Sequence, residues 1–299
     1  MLSNQTPKYD NETMGIIMMI GASVCFSSMG YFIKKLTADF STMEIIFMRN
    51  LITMLIIWVA MLIVRPVSRG GKPLLLVMRG VYGVSAMIAY FYAISVMHLA
   101  TAATFSKTSP LFTALIAVLV MKEKSDWRVW TAIGVGFFGV LFILKPGGNV
   151  PPMGYFAGIL CGVLAAFAYT TVRNLADYYD ARVVVFVFSL VGVLGSLAYF
   201  IALYFMGDPR YDSWDFLPHG VHLWYFIISG ALASAAQFLM SKSYYYGRAS
   251  LMGAISYSEL VFSVFAGFLA GDGLPDTLSF AGMFLVFLSG LLIVRARKK

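Results

Sequence analysis

Two ionisable side chains fall deep inside long apolar runs, where a charge is expensive. Glu259 sits in the middle of LMGAISYSELVFSVFAGFLAGD, with Ser256 three residues before it and Ser263 four after. On a helix the three share one face. Lys107 lies about two turns into TAATFSKTSPLFTALIAVLVMKEK, beside Thr104 and Thr108 and one turn before Pro110. A charge at the centre of a membrane helix costs roughly 2.5–3.5 kcal/mol, so each should face protein or a water-filled cavity. A carboxylate so placed meets a cationic part of a substrate or carries a coupled proton. The plainer role is as structural partner of a buried cation such as Lys107. Lys107 itself either lines a cavity or snorkels toward the interface. Pro110 removes a backbone hydrogen bond and kinks its run, which frees a carbonyl for a cavity or simply shapes the helix.

Other polar residues are weaker signals. Gly230, Ser234, Gln237 and Ser241 recur at steps of four, three and four and lead to Tyr244 and Tyr245; Ser23, Ser27, Gly30 and Lys34 are spaced alike. Small and hydroxyl residues at this period also serve close helix packing, which we favour for both stripes, with Gln237 the member best suited to a cavity. Tyr31, Tyr90, Tyr169 and Tyr257 lie within apolar runs and suit either stacking on a planar ligand or packing. Glu44 is a candidate partner for Arg49, Arg79 lies one turn inside its run, and Arg173 and Lys242 lie near run ends where snorkelling is the default. Enzymatic chemistry finds little support. His219 and His222 have no third ligand beside them, no phosphate-binding lysine loop is present, and no cofactor or metal is implied.

The elements that must hold these residues are transmembrane helices. Sixty per cent of the chain is hydrophobic and 12% charged, against about 25% charged in soluble domains, and the mean hydropathy is +0.81. Ten apolar runs each approach the roughly 20 residues that cross a bilayer. They cover approximately 14–35, 42–64, 74–97, 100–121, 127–145, 153–173, 183–206, 222–246, 249–270 and 278–295. The last five echo the first five, most clearly where Thr101–Lys145 returns as Ser250–Arg295; Lys107 then aligns with Ser256 and Pro110 with Glu259. An odd number of spans per repeat inverts the second copy in the membrane, the arrangement carriers use to place one midplane site. The expected fold is an all-α integral membrane protein of two inverted five-helix repeats, 14–146 and 152–295, with short tails 1–13 and 296–299.

The net charge of +8 follows membrane sidedness and does not imply nucleic acid. With both ends cytoplasmic, the inner segments hold Lys8, Arg65, Arg69, Lys72, Lys122, Lys124, Arg128, Arg182, Arg248, Arg295, Arg297, Lys298 and Lys299. The outer ones hold Lys34, Lys35, Lys145 and Arg210 with five aspartates, a positive-inside pattern that predicts N-in and C-in. Trp127, Trp130 and Trp224 suit the interfacial belt, and the basic tail suits anionic headgroups. Cys25 and Cys161 fall inside runs, which excludes a disulfide framework. No cleavable signal pattern precedes the first run, and the glycosylation triplets at Asn4 and Asn11 carry no meaning on the cytoplasmic side.

The chain resembles the drug/metabolite transporter superfamily, with two EamA-type repeats. YFYAISVMHLATAATFSKTSPLFTALIAVLVMKEK in the first half and AQFLMSKSYYYGRASLMGAISYSEL in the second carry the resemblance, which covers Met14 to Arg295. It is similar to a bacterial subset that includes carriers of S-adenosylmethionine, carboxylates, amino acids and amines. The resemblance implies a central cavity among spans 1, 3, 4, 6, 8 and 9, and so nominates Ser27, Tyr90, Lys107, Tyr169, Gln237, Tyr257 and Glu259 for substrate binding. One departure matters: four-span relatives couple protons through a glutamate in span 1, whereas Gly15–Ile33 contains no acid. Glu259 is then the first candidate for coupling. The expected function is secondary transport of small amphipathic or zwitterionic metabolites across a bacterial inner membrane. The alternative is a lipid or polyprenol-phosphate translocase in which Lys107 and Arg79 hold the phosphate. Expected partners are a small-molecule substrate and membrane lipids, and a monomer is admissible.

Overall fold

A chain immersed in lipid can satisfy its backbone only internally, and these apolar runs fold as helices for that reason. The computed structural model describes residues 12–109, 111–112, 115, 127–144, 150–175, 178–207, 218–246, 252 and 255–296. Among them are the helices α1 (Glu12–Leu36), α2 (Thr42–Ile63), α3 (Pro73–Val96), α4 (Leu99–Ser106), α5 (Trp127–Leu144), α6 (Pro152–Leu175), α7 (Ala181–Phe205), α8 (Val221–Tyr246), α9 (Ser258–Ala270) and α10 (Thr277–Ala296). No strand occurs among the described residues. Six of the helices (α1, α2, α3, α6, α7 and α8) are long and apolar enough to cross a membrane. Large apolar side chains such as Leu62, Phe138, Phe265 and Phe284 point outward and are exposed, as lipid-facing residues must be.

The sequence predicts unbroken fourth and ninth runs; the structure breaks both. Helix α4 stops at Ser106 and the chain turns at Lys107 and Thr108, while Ser256 and Tyr257 form a turn immediately before α9. With proline at position 110, no amide is available to reach back to the Ser106 carbonyl. Pro110 itself lies outside the described residues.

Helix partners cross between the halves. Helix α1 packs on α8 and α9, α6 on α3 and α4, α2 on α7, α4 on α9 and α5 on α10. The last contact is close because glycines meet: a Cβ at Gly139 would stand 2.8 Å from the Gly282 carbonyl oxygen, and one at Gly282 2.6 Å from that of Gly139. The backbones touch there, and Ser289 Oγ donates to the Ala132 carbonyl across the same seam at 2.5 Å.

The two ends of the bundle differ in charge and in construction. At one end, Ser41 and Glu44 form a capping box that starts α2, and His222 Nε2 stands 3.1 Å from Asp39. This employs Glu44 as a cap and not as the partner of Arg49; the Arg49 guanidinium turns instead to Asn50 Oδ1 at 3.0 Å. At the opposite end, the loop after α2 meets the loop before α7. Arg69 and Gly70 amides donate to the Tyr178 carbonyl, Lys72 lies over the Tyr178 ring, and Arg182 pairs with Asp180, the N-cap of α7.

Candidate functional site

The two broken helices bring their charges together. Lys107, at the turn that ends α4, places Nζ 2.7 Å from Glu259 Oε2 in the first turn of α9. The same turn leaves the Lys107 carbonyl outside any helix, and Tyr257 Oη donates to it at 3.2 Å from the other half of the chain. Ser27 of α1 donates to the Glu259 carbonyl at 3.0 Å and lies 3.1 Å from Ser263 Oγ, which fastens α1 to the start of α9. The ion pair is thus anchored at its backbone as well as at its side chains.

A small cavity of about 100 Å³ opens beside the pair. Five of the seven residues nominated from sequence line it: Tyr90, Lys107, Tyr169, Gln237 and Glu259. Gln237 Oε1 is buried there without a hydrogen-bond partner among the described residues. The other two nominees serve helix contacts. Ser27 makes the clamp just described, and Tyr257 is 2% exposed, with its ring edge-on to Phe287.

The cavity also holds two arginines beyond those seven residues, of which only Arg79 has an expected ligand, the phosphate of the translocase alternative. Arg49 of α2 and Arg79 of α3 line it, 2% and 4% exposed, and both guanidinium groups flank the ring of Phe188 from α7, at 5.8 and 4.8 Å from its centroid. Each has a signal in the sequence: Arg49 is two turns and Arg79 one turn inside an apolar run, with no acid on its own face. The assignment of Arg49 to Glu44, one turn away, obscured it.

Away from the cavity, one carboxylate joins four helix ends. Asp272 accepts from the Leu99 amide at 2.7 Å, which caps α4, and pairs with Lys34 at 3.2 Å; Lys34 Nζ also donates to the Ile94 and Met97 carbonyls at the end of α3. Ends of α1, α3, α4 and α9 are held by this cluster, directly above the Lys107 turn. No group of three or more potential metal ligands occurs among the described residues.

A model of the EamA-like transporter family matches the chain twice, over residues 13–145 and 152–295. The chain belongs to that family. Named relatives agree with the EamA assignment. An uncharacterized transporter of Helicobacter pylori (strain ATCC 700392 / 26695) is 34% identical over 93% of this chain and 94% of its own length. The pseudopaline exporter CntI of Pseudomonas aeruginosa (strain UCBPP-PA14) is 29% identical over 95% and 97%. An S-adenosylmethionine uptake transporter of Rickettsia bellii is 27% identical over 76% and 75%. The EamA protein described here is therefore an integral membrane transporter of the drug/metabolite superfamily and not an enzyme.

Proposed function

We propose that this protein is a secondary active transporter that moves small amphipathic or zwitterionic metabolites by alternating access, with the Lys107–Glu259 pair at the centre of its site. The carrying observation is the contact itself: two charges from the two halves of the chain, each at a helix break, meet at 2.7 Å beside the cavity. Named relatives that take up S-adenosylmethionine or export pseudopaline support a soluble metabolite as cargo, of the amino acid, amine or carboxylate class.

The reading includes ten spans in two inverted repeats, 14–146 and 152–295, with both termini cytoplasmic. Three observations support it. The family model matches once in each half. The turns at Lys107–Thr108 and Ser256–Tyr257 fall at aligned positions of the two repeats. The helix partners also exchange consistently: α1 with α8 corresponds to α6 with α3, and α2 with α7 and α5 with α10 pair with themselves, as a pseudo-twofold axis requires.

In this mechanism the Lys34–Asp272 cluster is the outer seal. A cationic group of the cargo competes with Lys107 for Glu259, loosens α4 from α9, and allows the outer ends held by Asp272 to part. Glu259 serves as cargo contact and as the coupling candidate. The test is a thermal-unfolding screen of the purified protein against amino acids, S-adenosylmethionine, amines and carboxylates. A cargo binding the folded state raises the melting temperature with concentration, and Glu259→Gln should remove that response. A binder indifferent to Glu259→Gln, or none in any class, overturns the reading.

A further inference from the structure

We infer that Arg49 and Arg79 form an anion subsite that holds a carboxylate of the cargo, so that the compound carried is an acidic zwitterion and not a simple amine. The inference rests on the cavity being the transport site. Four charged residues line the cavity: Arg49, Arg79, Lys107 and Glu259. Lys107 and Glu259 neutralise each other at 2.7 Å, which leaves two buried guanidinium groups without a carboxylate among the described residues. Arg49 has Nη1 on Asn50 Oδ1 and on Met87 Sδ at 3.1 Å, neither of them charged, and its Nε has no partner among the described residues. Nε and Nη1 of Arg79 have none among the described residues. Buried charges in folded proteins are paired, and an unpaired one costs several kcal/mol. Three open donors on two fixed cations fit a ligand that brings the missing charge.

The surroundings hold these groups in position. Both guanidinium groups, from α2 and α3, stand near the Phe188 ring, and a planar cation against an aromatic face keeps its N–H edge free for an acceptor. Gly83 lies one turn beyond Arg79 on α3, and a Cβ there would collide with Arg79 Nη1 and meet the Phe188 ring at 2.9 Å. The glycine makes room for the guanidinium to lie along its own helix. Neither arginine reaches the interface as a snorkelling residue would, since both are nearly inaccessible. The fork of a guanidinium matches the two oxygens of a carboxylate. Glu259 then meets the amino group of the same cargo, and the two signs of the cavity read the two signs of a zwitterion.

The test uses the full-length protein in detergent, with acetate, succinate, L-aspartate and L-glutamate as probes, the neutral amides acetamide and succinamide, which carry no carboxylate, as controls, and inorganic phosphate as a separate arm. The carboxylates should raise the melting temperature, with the amides weaker. Arg79→Gln and Arg49→Gln should each weaken carboxylate binding about 10- to 100-fold, the range for one hydrogen bond to a charged group. Without ligand, Arg79→Gln should melt at or above the wild-type temperature, because an uncompensated charge is removed. A lower unliganded melting temperature would mark Arg79 as a structural partner and overturn the inference. So would amides that stabilise as well as acids, phosphate that outperforms every carboxylate, or no carboxylate response at any soluble concentration. If Arg79→Gln does not accumulate, Arg79→Lys keeps the charge and loses the fork; wild-type carboxylate affinity in that variant likewise overturns it. The failures are separable. Transport that depends on Glu259 but not on Arg79 or on a cargo carboxylate defeats the subsite alone. Arg79-dependent carboxylate binding with no transport in proteoliposomes defeats the transport reading alone.

Discussion

A buried lysine–glutamate pair is poor evidence of stability, because desolvating two charges offsets most of their attraction. What such a pair does supply is a contact that can be exchanged. Lys107→Met leaves Glu259 buried and alone, and Glu259→Gln does the same to Lys107, so each single change should destabilise the protein by about 3–5 kcal/mol. The double variant removes both charges and should recover much of that loss, with a coupling of about 0.5–3 kcal/mol in thermal unfolding and the same sign in transport. Additive losses would mean that the 2.7 Å contact is not made in the working protein. Glu259 and Lys107 were legible in the sequence because charge inside an apolar run is conspicuous, and the repeat alignment placed them near one another. Arg49 and Arg79 are as conspicuous by that criterion. Their joint position on Phe188 was not legible, because it depends on how α2, α3 and α7 meet, and single-sequence periodicity carries no information about which helices are neighbours.

At the scale of elements, the helix runs were legible to within a few residues, whereas the interruptions in the fourth and ninth were not. Hydropathy averages across a single turn, and Ser256 and Tyr257 carry no breaker; only Pro110 hinted at one side. The consequence is mechanical. The α4 and α9 segments end at the Asp272 cluster, so they are short rigid pieces between two polar contacts. Asp272→Asn removes the charge paired with Lys34 and weakens the cap on α4. It should shift the population toward an outward-open form, read as faster labelling of Ser106→Cys by a membrane-impermeant thiol reagent added outside. Unchanged labelling would deny Asp272 a gating role. At the opposite end, Arg182 bonded to Asp180 holds that carboxyl below the usual aspartate range. A carboxyl lowered on folding contributes stability above its unfolded pKa, near 3.9, and loses it as pH falls through the folded value. Asp180→Ala should therefore cost about 0.5–2 kcal/mol at neutral pH through the lost N-cap, and the gap from wild type should narrow in acid. A gap independent of pH would remove the ion pair from the account of that corner.

For the whole molecule, the distribution of charge between the two ends decides orientation. Arg65, Arg69, Lys72 and Arg182 belong to the end where the loop after α2 meets the loop before α7, and Asp180 is the acid among the described residues of that corner. Asp39, Glu44 and Asp272 belong to the other end, with Lys34 spent on Asp272 and two carbonyls. Lys and Arg in short loops are retained on the cytoplasmic side during insertion, whereas acids contribute little. In the orientation we propose, the first end is the inner one and the cluster above the Lys107 turn faces outside. Reporter fusions at Gly71, Lys124 and Lys299 should read cytoplasmic, and those at Gly148 and Asp212 external. Of these positions only Gly71 lies within the described residues, so the others test the ten-span count independently of the helix packing. An external Lys299 would leave an odd number of crossings, and a cytoplasmic Asp212 would break the inversion of the second repeat. Either result would also move the Lys34–Asp272 seal to an undefined side, because its role as an outer gate depends on the sidedness that the arginines set.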